Sequence, residues 1–88
     1  MIENYVNVES KDCYIISIGD IGFYKSIPNT SNSQYLIEKD VLKASIFETR
    51  ESANPVLRML KSIQSIKERN IKVKLQKSRI SITYQVVE

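Results

Sequence analysis

The sequence predicts an α+β domain: an antiparallel sheet of about five or six strands, one main amphipathic helix over about residues 50–69 packed on one face, and a C-terminal β-hairpin. Three observations carry that expectation. Apolar residues recur at helical spacing from Ala53 to Ile66. Ile71, Val73 and Leu75, then Ile80, Ile82, Tyr84 and Val86, alternate strictly with polar residues. The N-terminal third carries short apolar runs punctuated by turn residues. With 88 residues, no internal repeat and no linker, the chain (1–88) reads as a single domain.

The elements follow in order. Val6 and Val8 alternate with Asn7 and Glu9, Ser10-Lys11-Asp12 supplies turn residues, and Cys13-Tyr14-Ile15-Ile16-Ser17-Ile18 is an apolar run, so residues 6–18 read as a first hairpin. Gly19-Asp20-Ile21-Gly22 is a second turn, with glycines where positive φ is needed, and Phe23-Tyr24 continues as a third strand. Ser26 to Ser33 is rich in residues that bond their own backbone and reads as the longest mobile loop. Tyr35-Leu36-Ile37-Glu38 makes a short strand.

On a helical wheel Ala53, Val56, Leu57, Met59, Leu60, Ile63 and Ile66 fill one half, and Arg58, Lys61, Ser62, Ser65 and Arg69 the other. Two starts fit: Thr49 as N-cap, which puts Pro55 inside the helix with a kink, or Asn54 as N-cap with Pro55 at the first helical position. Asn70 follows the cations Lys67 and Arg69 and closes the helix. Lys67 falls on the apolar side, so it should snorkel or the last turn should fray. The two period-two segments after the helix are joined by Gln76-Lys77-Ser78-Arg79, which reads as the turn of the closing hairpin. One sheet face is then apolar under the helix and the other polar and basic.

The segment Lys43-Ala44-Ser45-Ile46-Phe47-Glu48-Thr49-Arg50-Glu51-Ser52-Ala53 follows a strand with an acidic exit and leads into the amphipathic helix. Over residues 34–75 this layout resembles small accessory proteins of Firmicute phages and prophages, in which an Ala-x-x-Phe-x-Thr step enters a helix that begins with acidic residues and Ala. Pro55 departs from the layout, since those helices run unbroken through that position. The resemblance carries no catalytic residues. It implies a phage origin, a place in the host cytoplasm, and an accessory role in binding and redirecting a host component.

Composition narrows the chemistry. The chain has no His and a single Cys, so Ser-His and Cys-His nucleophile pairs, an imidazole base and a His-bearing metal site are excluded within it. Cys13 alone makes neither an intrachain disulfide nor a Cys-type zinc site; it reads as a small residue at a strand edge in a reduced setting. No enzyme activity and no cofactor are expected. Glu38 and Asp40, with Asp20 or Glu48, are the carboxylates to weigh as a Mg²⁺ site; acidic residues at a strand exit are ordinary. Met1 to Tyr5 does not read as a signal peptide and no apolar run reaches the ~20 residues of a membrane span, so a cytoplasmic protein without a membrane partner is expected.

Charge is segregated. Residues 1–48 hold four cations and seven anions, and residues 49–88 hold nine cations and three anions, for −3 and +6. From Arg58 to Arg79 there are eight cations and one anion, Glu68. Two functions follow as expectations. The first is a non-enzymatic accessory protein that binds and modulates a host or viral protein complex, with inhibition of a nucleic-acid defence system, anti-CRISPR-like, as its concrete version. Tyr24 and Tyr35, flanking the loop, are candidate anchors for such a partner. The alternative is direct nucleic-acid binding by Lys72, Lys74, Lys77 and Arg79, helped by Arg58, Lys61 and Arg69: Lys72 and Lys74 should lie about 7 Å apart on the open face, near the phosphate spacing of a strand. That face lacks aromatic residues for base stacking. Finally, residues 80–87 carry no charge and no Pro; if they form a sheet edge, a symmetric homodimer is expected.

Overall fold

The computed structural model describes residues 5–29 and 34–86, with side chains described for 9–29 and 34–81. The expected mobile loop thus lies in part, at 30–33, outside the described residues. The elements are β1 (Tyr5–Ile18), β2 (Gly22–Ser26), β3 (Tyr35–Glu38), a 3-10 turn (Val41–Lys43), α1 (Arg50–Ser62), α2 (Gln64–Glu68) and β4 (Val73–Val86). The strands form one antiparallel sheet in the order β3-β2-β1-β4.

The sheet has four strands rather than five or six because each expected hairpin is one continuous strand. β1 and β4 pair without interruption from Tyr5↔Val86 to Ile18↔Val73. Ser10-Lys11-Asp12 and Gln76-Lys77-Ser78-Arg79, read as two turns, lie in mid-strand and face each other: Asp12 is opposite Arg79 and receives Arg79 Nε at 3.2 Å and Lys77 Nζ at 3.5 Å. Their polar character is satisfied across the ladder instead of within a turn.

α1 and α2 cover one face. Ile16 and Ile18 of β1, Tyr24 of β2 and Val73 of β4 meet Ala53, Val56, Leu60 and Ile66 in a single core. On the other face Cys13, Ile15 and Ser17 are also buried, because β1 is interior to the sheet. Cys13, expected at the edge of a strand, lies inside β1, which runs unbroken from Tyr5 to Ile18.

Thr49 caps α1. Its Oγ1 accepts the Ser52 N–H at 3.1 Å, and Ser52 Oγ accepts the Thr49 N–H at 3.4 Å. The start at Asn54 is not used. Pro55 lies inside α1 and the helix passes through it to Ser62; Pro55 has no N–H to give the Glu51 carbonyl, and both residues are exposed. The single helix expected over 50–69 instead divides at Ile63, whose ψ is 128°. The break turns Ile66 into the core and leaves Lys67 exposed, which removes the conflict on a straight wheel. Asn70, at φ 53°, closes α2: its N–H donates to Lys67 O and the Ile71 N–H to Ile66 O, the paired bonds of a Schellman ending.

Beyond Ser17↔Phe23, β1 and β2 part, and the chain from Ala44 to Phe47 fills the opening. Phe47 exchanges both backbone bonds with Tyr14 at 2.8 Å, the Ser45 N–H donates to Tyr24 O at 3.0 Å, and Ser45 Oγ accepts the Ser26 N–H at 2.8 Å. The Ala-x-x-Phe-x-Thr step is thus a filler strand that delivers Thr49 to the helix start.

Candidate functional site

Continuity of β4 divides the cations. Strand alternation, with the register Ile18↔Val73, Ile16↔Leu75, Tyr14↔Lys77 and Asp12↔Arg79, places Val73, Leu75, Lys77 and Arg79 on the helix side of the sheet. Lys74 and Gln76 lie on the other side. There Lys72 and Lys74 line an open depression of about 320 Å³ together with Asp20, Ser17, Gly19, Phe23 and Gln76. Arg58 and Lys61 are exposed on α1, and Arg69 follows α2. The four sheet cations expected to act as one patch therefore stand two on each face, and the pair on the helix side already holds a carboxylate.

That carboxylate is tuned by its partners. The Arg79 hydrogen bond first, and the Lys77 charge next, hold the Asp12 carboxyl below the usual carboxylate range. A lowered folded value adds stability above the unfolded value near 3.9, and that stability is lost as pH falls through the folded value. The urea midpoints of wild type and Asp12→Asn should accordingly differ at pH 6, and the gap should narrow steadily as the pH is taken below about 3.9. A gap that persists in acid would show that Asp12 acts other than through its charge.

The tyrosines are placed inward. Tyr24 is 1% exposed, with ring centroids 5.7 Å from Tyr35 and 6.1 Å from Phe47, so it belongs to the core and not to a surface; Tyr35 is half-buried against it. The Tyr24 hydroxyl is buried without a hydrogen-bond partner among the described residues, and burial pushes its pKa up. Because an unsatisfied buried hydroxyl costs about 1–3 kcal/mol, Tyr24→Phe should leave the protein as stable or up to about 1 kcal/mol more stable. A loss above about 1 kcal/mol in a urea titration would mean that the hydroxyl has a partner.

Three of the four carboxylates weighed for Mg²⁺ are engaged elsewhere, and the fourth, Asp20, lines the depression beside Lys72 and Lys74. Glu38 Oε1 accepts the Asp40 N–H at 3.2 Å, Asp40 Oδ1 caps the 3-10 turn through Leu42 N at 3.0 Å, and Glu48 pairs with Lys11 at 3.2 Å. Among the described residues no group of three or more Asp, Glu or Cys stands together as a metal site.

What sequence reasoning missed is apolar. Leu36, Ile37, Val41, Leu42 and Ile46 are all exposed, Leu42 at 87%, and all belong to one short stretch of chain; Ile21, on the β1–β2 turn, is exposed as well. β3 is a sheet edge, so Leu36 and Ile37 sit on the rim. The Lys25 ammonium donates to the Lys43 carbonyl at 2.8 Å and Asp40 caps the turn, so Val41 and Leu42 are presented by an anchored segment. The pair Val41-Leu42, bracketed by Asp40 and Lys43 in a stretch too short for a core element, was the available signal.

Compared with family models, curated proteins and solved structures, the chain shows no significant match.

Proposed function

We propose that this chain is a non-enzymatic binding module that docks on a protein complex through the exposed apolar stretch Leu36–Ile46 and modulates that complex. One observation carries the reading: Val41, Leu42 and Ile46 are exposed just beyond the edge strand β3, whose Leu36 and Ile37 are exposed on its two opposite faces. Single exposed apolar residues are ordinary, but a concentration in one anchored segment marks a contact surface. The phage-type accessory role implied by the resemblance, including inhibition of a nucleic-acid defence system, agrees with a small module of this kind and is the setting in which we place it.

Direct nucleic-acid binding is the second reading. Lys72 and Lys74 around their shallow depression favour it, and the division of Lys77 and Arg79 to the other face weakens it.

Affinity capture with the tagged chain tests the proposal. Wild type should retain a protein in stoichiometric amount at both low and moderate salt, and Val41→Asp with Leu42→Asp should lose it while the far-ultraviolet circular dichroism is unchanged. Capture that survives the double substitution, or recovery of nucleic acid alone, would overturn it.

A further inference from the structure

The outer edge of β4 carries no further strand among the described residues. Tyr14 exchanges its backbone bonds with Phe47, so even-numbered residues of β1 turn their N–H and C=O away from β4 and odd-numbered ones turn towards it; the Gly19 N–H, donated to Lys72 O, agrees. In the observed register the odd β1 residues meet even residues of β4. The odd residues of β4 therefore present N–H and C=O outward, and β4 is the last strand of the sheet.

Along this edge the protection is uneven. Over residues 72–79 the strand carries Lys72, Lys74, Lys77 and Arg79, the charged side chains that discourage strand addition. Over residues 80–86, Ile-Ser-Ile-Thr-Tyr-Gln-Val, it carries no charge and no Pro and has high β-propensity. This unprotected part lies where β1 and β4 form a two-stranded ribbon, the eight pairs from Tyr5↔Val86 to Asp12↔Arg79, beyond the Tyr14 ring on which the Arg50 guanidinium at the head of α1 rests. Glu9, Ser10, Lys11, Asp12, Arg79 and Ser81 are exposed there. Two strands alone are marginal in water; a third and fourth strand make them stable.

We infer that this edge pairs with the same edge of a second copy, antiparallel about a two-fold axis through Thr83, giving one continuous eight-stranded sheet. Charge selects this occupant and register. Centring on Thr83 sets Ser81 opposite Gln85 and Thr83 opposite itself, all outward-facing positions, and matches the uncharged run to itself. Centring on Ser78 would set Lys77 against Arg79 of the partner, like charges in direct opposition. The antiparallel arrangement also sends the two helix-covered bodies to opposite ends: with each body near Leu75, their centres lie roughly 50 Å apart along the strands, so nothing else collides. The contact is self-complementary, as a two-fold interface must be, and is separate from the apolar stretch at β3.

Sedimentation equilibrium and crosslinking test this together. At tens of micromolar, wild type should have twice the 10.2 kDa chain mass. Thr83→Pro removes only an outward N–H, which an edge strand tolerates, and Thr83→Lys sets two cations face to face; both should be monomers that keep the helical circular dichroism signal of the core, whatever the ribbon loses. In a Cys13→Ala background, Thr83→Cys should form an intermolecular disulfide, since facing hydrogen-bonded positions lie about 5.5 Å apart between Cα atoms, and Lys77→Cys should not. A wild type that stays monomeric, a Thr83→Pro variant that stays dimeric, or a crosslink at position 77 in place of 83 would overturn the inference.

Discussion

Leu60→Ala should destabilise the protein by about 3–5 kcal/mol, the cost of a large-to-small change at a fully enclosed site. Leu60 has no exposed surface and stands in the core with Val56 and Ala53 of its own helix and with Ile16, Ile18 and Val73 of the sheet beneath. A domain of this length has a total stability of order 5–10 kcal/mol, so the substitution removes about 30% of it or more. Thermal unfolding followed by circular dichroism should show the midpoint falling by at least about 12 °C, at roughly 4–8 °C per kcal/mol for a domain of this size. A fall under about 4 °C would mean that the helix does not seat on β1 and β4 as described.

Gly22→Ala is the second large effect, at about 2–4 kcal/mol. At φ 153° the backbone occupies a region open to glycine alone, and a Cβ placed there meets the Glu38 carbonyl oxygen at 2.7 Å and Ile37 Cγ2 at 2.8 Å. The carbonyl belongs to β3, directly across the ladder from Phe23, and has little room to yield without parting β2 from β3. Gly19→Ala is the informative comparison. Its φ of 50° is the milder left-handed region, and its Cβ meets only the tip of Ile71, at 3.0 Å. A cost of about 1–2 kcal/mol is expected there. Urea titrations of the two variants should rank Gly22→Ala as the more damaging; the reverse order would contradict the packing of β3 against the β1–β2 turn.

Legibility of the fold followed how local each interaction is. The helix stripe, the Asn70 ending, the Gly19–Gly22 turn and the strand at Tyr35–Glu38 rest on neighbours in sequence and were readable, and the Thr49 cap was one of the two starts that the sequence offered. The long strands were not. Ser10-Lys11-Asp12 and Gln76 to Arg79 have turn composition, and only their mutual pairing, across more than sixty residues of chain, reveals them as mid-strand. The apolar phase adds to the illusion: it runs on odd positions at Ile71, Val73 and Leu75 and on even positions from Ile80, which reads as a break. Continuous pairing through these residues shows that the shift of phase needs no turn.

The candidate site divided in the same way. Segregation of charge along the chain was plain, but whether the cations share a surface depends on strand parity, and the mistaken turn at 76–79 folded Lys77 and Arg79 back beside Lys72 and Lys74. Tyr24 and Tyr35 flank the loop in sequence, yet β2 and β3 point them at Phe47 and the core. The exposed Val41 and Leu42 went unnoticed because an apolar pair ordinarily signals burial, and only the Asp40 cap and the Lys25–Lys43 contact hold it outward.

Division of the basic residues between two faces is the claim on which the choice between protein and nucleic-acid partners turns, and the salt dependence of binding to duplex DNA measures it. Each phosphate neutralised contributes a slope of about −0.9 in log K against log salt. With Lys72 and Lys74 on one face and Lys77 and Arg79 on the other, bound to Asp12, any retardation in a gel-shift titration should show a slope no steeper than about −2, and Lys77→Ala with Arg79→Ala should leave it unchanged. A slope near −4 or steeper that this double substitution flattens by about two units would show the four cations acting on one backbone, and would contradict the account.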